Sequence, residues 1–359
     1  MMLNVFKVFG LSAFAFFLAI ILTPIFTHYF YKYKMWKGHS RSDEANPVSL
    51  DFRNIHQQRA AGELNTPRVG GIIIWFSTIL TCLITWLAFK IFPDELTGKL
   101  NFLSKNQTWL PLFALIVSSL VGLADDLIQI FGKMGNKFFS DTDGFPSLPR
   151  RARIATVIII GAIGAWWFFF PLEMTSILVP FVGEIALGWL FIPFFIITML
   201  AVFSGGIIDG IDGLAGGVMA SVFAAYTGIA FFQNQINIAT FCAVITGSIL
   251  AFLWFNIPPA RFYMGETGML GLTAALTVVA FLTKAVAVLP IIAFPLVVTS
   301  GSAIIQVIAR KYFKKKVFRV APIHHHFEAI GWPPYKVTMR FWVISIVFAI
   351  IGMVIALIG

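Results

Sequence analysis

The stretch VFGLSAFAFFLAIILTPIFTHYFY, residues 8–31, runs for 24 residues without an aspartate, glutamate, lysine or arginine. As a helix it would be about 36 Å long, which exceeds the roughly 30 Å thickness of a bilayer's hydrocarbon core. It is too long for the apolar core of a signal peptide, so we interpret it as a membrane span. Similar apolar runs recur throughout the 359 residues, and only 12% of the chain is charged. The sequence therefore predicts a polytopic integral membrane protein.

The apolar runs predict ten transmembrane helices in an all-α fold. We find no internal repeat or separate soluble region, so residues 1–359 are expected to form a single polytopic transmembrane domain. In the ninth span, Pro290 and Pro295 are predicted to break or bend the helix, which could open an apolar trough for a lipid chain. The predicted spans are 8–31, 69–91, 109–128, 153–171, 186–205, 214–232, 237–256, 267–283, 286–309 and 341–358.

The basic residues predict how the bundle is oriented. The spans place regions 32–68, 131–153, 206–213, 257–266 and 310–340 on one side, and these regions hold 21 of the 26 lysine and arginine residues. Because positively charged loops stay in the cytoplasm, we expect these regions to be cytoplasmic and both termini to be periplasmic. Membrane orientation thus accounts for the formal charge of +10, and no nucleic-acid binding is expected.

Four polar motifs lie at predicted cytoplasmic ends of helices. They are GLADDL (122–127), GGIIDGIDGLAGG (205–217), FYMGETGML (262–270) and PIHHHFE (322–328). Carboxylates close to a bilayer are energetically costly and usually mark function. Four such motifs on one face predict a single active site there.

The first two motifs each carry a pair of aspartates, which are candidate catalytic residues. Asp125 and Asp126 are adjacent, so their charges repel unless a cation lies between them or one is protonated. A solvated helix end is the simpler alternative. Asp209 and Asp212 lie among glycines that would let a phosphate approach the backbone, and both would lie on one side of a helix beginning here. A plain Asp-Gly turn is the alternative.

The other two motifs offer candidate ligands for a metal and for phosphate. Glu266 lies between two glycines and suits a hard cation such as Mg²⁺, although a helix N-cap is equally compatible with it. His324, His325 and His326 would point about 100° apart on a helix, so one ion cannot easily bind all three. Near the basic run RKYFKKK (310–316), they are interpreted as phosphate donors, with a solvated basic loop as the alternative.

A fifth motif, NTPRVGG (65–71), opens the second span with a turn at Thr66 and a glycine pair that permits close contact with backbone or phosphate. Together the motifs supply several carboxylates, a site for a divalent cation and surrounding basic side chains at the inner membrane surface. This set suits phosphoryl transfer between a soluble nucleotide and a lipid phosphate.

These motifs resemble those of the polyprenyl-phosphate N-acetylhexosamine-1-phosphate transferase superfamily, and most closely its phospho-N-acetylmuramoyl-pentapeptide transferase family. PIHHHFEAIGW (322–332) followed by KVTMRFWVIS (336–345) is the most specific match, and the remaining motifs follow in the family's order over nearly the whole chain. The resemblance implies that phospho-N-acetylmuramoyl-pentapeptide moves from its UDP carrier to undecaprenyl phosphate in a bacterial inner membrane, giving lipid I and UMP. Mg²⁺ is the implied cofactor. UDP-MurNAc-pentapeptide, undecaprenyl phosphate and membrane lipid are the expected partners, and a homodimer is left open.

The resemblance also implies roles for individual residues. Asp125 and Asp126 would act in the region of the lipid phosphate and metal, and Asp209 and Asp212 would line the nucleotide and catalytic pocket. Glu266 takes the metal-ligand position, and we expect Asp209, or alternatively Asp126, to join it in holding Mg²⁺. The expected reaction begins when Asp125 deprotonates or orients the acceptor phosphate, and both direct attack and a route through an aspartyl-phosphate are compatible with it. The implied substrate-binding residues are Thr66, Asn256, Gln306, His324, His325 and His326.

The chain departs from the family pattern at several positions. Glu266 replaces an aspartate, Gln129 replaces a lysine and Gly206 replaces an asparagine. TPRVGG replaces TPTMGG and looks more like the sister enzymes that use UDP-N-acetylglucosamine. The sister activity and a catalytically impaired homologue therefore stay open as alternatives. A transporter is not favoured, because its charges should lie near mid-span.

Overall fold

The computed structural model describes residues 1–37, 65–104, 106–132 and 146–359, and nearly all of their regular structure is helical. The first eight long helices are α1 (Leu11–Lys32), α2 (Gly71–Ile91), α3 (Asn106–Phe131), α4 (Arg150–Phe169), α5 (Phe191–Ser204), α6 (Leu214–Phe232), α7 (Ile236–Asn256) and α8 (Gly265–Leu282). They are followed by α9 (Leu289–Ile292), α10 (Phe294–Ile308), α11 (Ile323–Ala329) and α12 (Pro334–Ile358). Short helical turns occupy Met2–Val5, Phe6–Gly10, Glu95–Leu100, Phe102–Ser104, Gly188–Leu190, Gly205–Ile208 and Ala309–Phe313.

Nine helical segments within these ranges are long and apolar enough to cross a membrane, so the protein is a multi-pass membrane protein. They coincide with nine of the ten predicted spans. The other predicted span, 286–309, is divided into α9 and α10, which meet at Ala293. The predicted break is confirmed: Pro290 and Pro295 each lie in the first turn of one of the two helices, where a missing N–H removes no helical hydrogen bond.

The centre of the bundle is formed by α6, α7 and α8. In α8, 89% of the most apolar window is buried, compared with 22% in α12. Helices that are apolar on most sides can be enclosed by others, and α6, α7 and α8 are the most enclosed of the long helices in the described part of the chain. The outer helices expose their apolar side chains, as lipid contact requires.

Several hydroxyl groups inside the spans find partners on their own helix. In α2, the side chains of Ser77, Thr81 and Thr85 each donate to the carbonyl four residues earlier, at 2.6–3.1 Å. Such bonds satisfy polar groups where no water is present. These hydroxyls therefore need no functional explanation.

A β-hairpin, which the sequence analysis did not anticipate, lies at one end of the bundle. Strands β1 (Ser176–Val179) and β2 (Gly183–Ala186) pair antiparallel, and the turn residue Phe181 donates its backbone N–H to the carbonyl of Gly359 at 3.3 Å. On β2, Glu184 accepts a hydrogen bond of 3.0 Å from Lys284, and this bond and the lysine's charge hold the pKa of Glu184 below its ordinary value. The hairpin thus joins the C-terminus to the far end of α8.

The N-terminal helix reaches the same end. The ammonium of Lys7 donates to Asn237 at 2.7 Å, and Gln233 from the same connection donates to the carbonyl of Thr283 at 3.0 Å. Both ends of the chain therefore lie beside the C-terminal end of α8. The N-terminal end of α8 lies about 27 Å away along the helix axis, where the acidic motifs meet.

Candidate active site

Asp126 holds the first turn of α8 in place. Its side chain is fully buried, and its two carboxylate oxygens accept the backbone N–H groups of Glu266 at 3.2 Å and Thr267 at 2.8 Å. The positive end of the helix dipole favours a carboxylate in this place. Gly265 has a positive φ of 69°, and a Cβ there would lie 2.5 Å from Asp126 Oδ2. The turn therefore requires glycine at position 265. The carboxylate of Asp126 holds this turn in place through its two hydrogen bonds to the backbone.

Asp125, the residue before Asp126 in α3, also has protein hydrogen-bond donors on both carboxylate oxygens. One oxygen accepts the backbone N–H of Leu148 at 2.7 Å, and the other accepts from Gln129 at 3.0 Å and lies 3.9 Å from the guanidinium of Arg153. Only 1% of Asp125 is exposed. Gln129, which stands where the family has a lysine, thus keeps a contact with the aspartate but supplies no charge.

Two arginines balance the charge of these acids. Arg153, in the first turn of α4, lies 3.2 Å from an oxygen of Glu266 and bridges it to Asp125. Arg68 precedes α2 and interacts electrostatically with Asp126 and Glu266. Neither arginine was predicted from the sequence as a site residue. A signal was present for Arg153, because basic residues in the first turn of a helix oppose its dipole unless acids lie nearby.

The second pair of aspartates lies in the turn that precedes α6. Asp209 accepts the N–H of Gly265 at 3.2 Å, whereas Asp212 accepts that of Ala260 at 3.2 Å. The two acids therefore hold different parts of the loop between α7 and α8. Because α6 begins only at Leu214, the alternative of an Asp-Gly turn describes the segment better than a helix start.

Asn256 connects the same two segments. Its side-chain oxygen accepts the N–H of Gly213 at 3.0 Å, and its amide donates to the carbonyl of Phe262 at 2.8 Å. Gln306 acts similarly elsewhere, because it bonds the backbone of Val317 and Phe318 at 3.0–3.1 Å. Both amides fix loops in this structure, and substrate binding by them stays a prediction.

The three histidines divide into two groups. A Cβ on Gly210 would lie 2.5 Å from Nε2 of His324 and 2.8 Å from Nε2 of His325, so these two rings pack against the aspartate turn. His325 also contacts Glu328 through Nδ1 at 2.7 Å. The ring of His326 turns elsewhere: its Nδ1 accepts the backbone N–H of Arg319 at 3.2 Å. The structure thus joins two histidines, and not the third, to the acidic motifs.

A cavity of about 450 Å³ opens between these elements. Its lining includes Asp209, Glu266, Arg68 and His325. The volume falls within the range of small-molecule sites, about 300–1,000 Å³. Of the other predicted site residues, Asp125 and Asp126 are buried behind this surface, and Thr66 is a buried residue two positions before Arg68.

Two carboxylates on this cavity could serve a metal. Asp209 and Glu266 both line it, and Mg²⁺ typically takes one or two carboxylates and completes its shell with water and phosphate oxygens. In the described part of the chain, no three or more His, Cys, Asp or Glu residues form a group that could hold an ion by themselves. The donor set therefore fits Mg²⁺ bound together with a phosphate substrate.

Comparison with known proteins gives the family. The sequence model of glycosyl transferase family 4 matches residues 108–284. The phospho-N-acetylmuramoyl-pentapeptide-transferase of Anoxybacillus flavithermus is 34% identical over 342 residues, which cover 94% of each chain. The chain belongs to the phospho-N-acetylmuramoyl-pentapeptide-transferase family. The transferases of Geobacillus thermodenitrificans (33% identity, 95% of each chain) and Latilactobacillus sakei (32% identity, 93% of this chain and 95% of the relative) are similarly close.

The region matched by glycosyl transferase family 4 runs from α3 to the connection after α8. It therefore contains all four aspartates, Asn256 and Glu266. Arg68 and the histidines lie outside it, in parts covered by the full-length similarity to the phospho-N-acetylmuramoyl-pentapeptide-transferase family. The cavity is thus assembled from both regions.

Proposed function

We propose that this protein transfers phospho-N-acetylmuramoyl-pentapeptide from its UDP carrier to undecaprenyl phosphate, which gives lipid I and UMP for peptidoglycan synthesis. The observation that carries the proposal is the cavity at the N-terminal end of α8, where Asp209 and Glu266 face Arg68 and His325. The near full-length similarity to enzymes named for this transfer supports the choice of donor.

The charges of the cavity suit a reaction between two phosphorylated substrates. Arg68 offers a guanidinium, which can bind phosphate oxygens at two points, and His325 offers an imidazole. His325 is oriented by its contact with Glu328, which fixes the ring toward the aspartate turn. These donors would hold the pyrophosphate of the nucleotide, and UMP would leave toward the open side of the cavity.

Asp209 is the acid best placed to act on the acceptor. It lines the cavity and is only partly buried, while its Oδ2 is positioned by the N–H of Gly265. In the proposed step, Asp209 accepts the proton of undecaprenyl phosphate, whose oxygen attacks the β-phosphorus of the donor. The bond from that phosphorus to the bridging oxygen breaks, and the electron pair leaves with UMP.

Asp125, the base expected from the sequence, has a different place in this mechanism. Its oxygens accept from Leu148 and Gln129, and it contacts Arg153 rather than the cavity. We therefore assign it the positioning of Arg153, which in turn orients Glu266. The route through an aspartyl-phosphate is the alternative, and phospho-sugar trapped on the protein in the absence of lipid acceptor would support that route.

Mg²⁺ is the proposed cofactor, held by Glu266 and one oxygen of Asp209, and the other oxygen of Asp209 is the proposed base. When bound, it would neutralise negative charge on the pyrophosphate during transfer. The ion pair with Arg153 keeps the Glu266 side chain, one methylene longer than the family's aspartate, in a defined position. A longer carboxylate restrained in this way can still reach an ion in the cavity.

The cavity end of the bundle is proposed to face the cytoplasm of a bacterium, where the nucleotide is found. The helix ends that adjoin the lysine- and arginine-rich regions lie at this end of the bundle, and both termini lie at the other. Positive regions remain on the cytoplasmic side of the inner membrane. Both termini would therefore be periplasmic.

The second candidate is the sister transfer of N-acetylglucosamine 1-phosphate. It is favoured by Arg68, which belongs to the motif that resembles the sister enzymes and lines the cavity. The test is UMP release by the purified protein with Mg²⁺, undecaprenyl phosphate and each UDP-sugar separately. We expect release with UDP-MurNAc-pentapeptide. Release with UDP-N-acetylglucosamine alone would establish the sister activity, and release with neither would establish an impaired homologue.

A further inference from the structure

A second cavity, which none of the site residues described above lines, lies between α1 and the end of α7. Its volume is about 410 Å³. One wall is formed by the face of α1 that runs from Thr23 to Lys32, and the other by Phe255 and Arg261. Arg261 belongs to the loop between α7 and α8, so this cavity lies at the same end of the bundle as the active site.

The α1 wall changes from apolar to cationic along its length. Lining residues recur in pairs at every fourth position, as one face of a helix requires: Thr23 and Pro24, Thr27 and His28, Tyr31 and Lys32. Over about 12 Å, the wall thus passes from proline and threonine to an imidazole and an ammonium. Pro24 cannot donate to the preceding turn and leaves a helical carbonyl without that bond.

Among the residues that the structure describes, no acid lies beside the cations at the open end. The described residues that line the cavity include no aspartate or glutamate. In the described part of the chain, neither Lys32 nor Arg261 forms an ion pair, and each lies over an aromatic ring instead, Tyr33 at 5.7 Å and Phe255 at 5.8 Å from the ring centroid. The hydroxyl of Tyr31 donates to the carbonyl of Arg261 at 3.0 Å, which ties the two walls together.

We propose that this cavity binds the phosphate ester headgroup of an anionic phospholipid. The phosphate would lie between Lys32 and Arg261, with His28 as a further donor, and the upper acyl chain would lie along Pro24 and Phe255. A pocket with two cations at its exposed end, neither ion-paired within the described residues, and an apolar wall on its membrane side is complementary to a ligand that joins an anionic headgroup to an acyl chain. On the proposed orientation it opens to the inner leaflet, which carries anionic lipid.

This lipid site is distinct from the acceptor site of the transfer reaction. The described residues that line this cavity all differ from those that line the cavity containing Asp209 and Glu266. The loop between α7 and α8 contributes Arg261 to one cavity and Gly265 to the other, so it separates them. A phospholipid bound at Lys32 and Arg261 therefore need not compete with undecaprenyl phosphate.

The test is native mass spectrometry of the full chain in a non-ionic detergent, titrated separately with phosphatidylglycerol, phosphatidylcholine and undecaprenyl phosphate. We expect one tightly bound phosphatidylglycerol, and we expect Lys32→Gln/Arg261→Gln to weaken its affinity about tenfold or more, given the contribution of two cations near a membrane surface. The variant Lys32→Arg/Arg261→Lys retains both charges and should keep the affinity. UMP release by the variants, measured in parallel, reports the transfer reaction separately.

The matched control is Lys336→Gln/Arg340→Gln. These two cations are also exposed and lie over one aromatic ring, that of Trp332, at 5.3 and 4.1 Å. Their removal should leave phosphatidylglycerol affinity unchanged. The proposal is overturned if both double Gln variants weaken binding equally, if Lys32→Gln/Arg261→Gln binds phosphatidylglycerol like the parent protein, or if undecaprenyl phosphate displaces the bound phospholipid one for one.

Discussion

Asp126 and Asp209 carry the same functional group but are placed for different tasks. Both oxygens of Asp126 accept backbone N–H groups of α8, and the side chain has no exposure. Asp209 has one oxygen on the N–H of Gly265 and faces the cavity. Asp126 therefore holds the structure of the site, whereas Asp209 is placed to act on the substrate.

Asp126→Ala should destabilise the protein, while Asp209→Asn should stop the reaction in a stable protein. Loss of the Asp126 carboxylate leaves buried N–H groups of α8 without a partner, at a cost of about 1–3 kcal/mol. Loss of a general base lowers turnover by roughly 10²–10⁴-fold. Thermal unfolding in detergent and UMP release measure the two effects. The assignment would be contradicted if Asp209→Asn unfolded at a lower temperature than the parent protein but released UMP at the full rate.

Arg153 should influence how the rate of UMP release depends on the Mg²⁺ concentration. Its guanidinium lies 3.2 Å from Glu266 and competes with any cation there for the carboxylate. We expect Arg153→Gln to lower turnover, because Glu266 loses its orientation, and also to lower the Mg²⁺ concentration for half-maximal rate, because the competing charge is gone. Both are read from the Mg²⁺ dependence of UMP release. The neighbouring Arg151→Gln is the control, and an increased Mg²⁺ requirement in Arg153→Gln would contradict the prediction.

The sequence predicted the candidate residues better than their contacts. Spacing indicated that Asp125, Asp209 and Glu266 belong together, and the structure brings their motifs to one end of the bundle. The first-turn position of Arg153 signalled that an acid lies nearby, but the sequence did not indicate which one, because Glu266 lies 113 positions later and meets Arg153 only through packing of α4 on the bundle. Nor could it separate His326 from His324, because that depends on how α11 lies against the aspartate turn.

Among the elements, the break between α9 and α10 is the feature for which we predict a functional consequence. Pro290 and Pro295 begin the two helices and keep the chain from forming one straight span. The resulting bend is the expected entrance for the acceptor's long apolar chain. The β-hairpin could not be predicted, since each strand has only four residues and their pairing depends on a loop at the end of the bundle.

Replacement of both prolines by alanine should raise the KM for undecaprenyl phosphate far more than the KM for the nucleotide. A straightened helix would narrow the apolar trough but would leave the cavity around Asp209 unchanged. Steady-state kinetics with each substrate varied in turn measures the two constants. Pro193→Ala, at an exposed position in the first turn of α5, is the control. Equal effects on both constants would count against a lipid role for the break.

For the molecule as a whole, the proposed function requires that the cavity end of the bundle face the cytoplasm. The hairpin and the two chain ends share one end of the bundle, and the cavity occupies the other. A single cysteine at Val182, on the hairpin, should react with an impermeant thiol reagent added outside intact cells. A cysteine at Lys315 should react only after the membrane is opened. The native Cys82 and Cys242 are buried and should not react with the thiol reagent. The reverse labelling pattern would refute the proposed orientation.

The most direct test of the central claim is the mass of the lipid product. Purified protein is incubated with Mg²⁺, undecaprenyl phosphate and UDP-MurNAc-pentapeptide, and the lipid phase is analysed by mass spectrometry beside that of Asp209→Asn. The account predicts undecaprenyl-pyrophosphoryl-MurNAc-pentapeptide from the parent protein, and its near absence from a folded Asp209→Asn variant. No such product from the parent protein, or equal product from both, would contradict it.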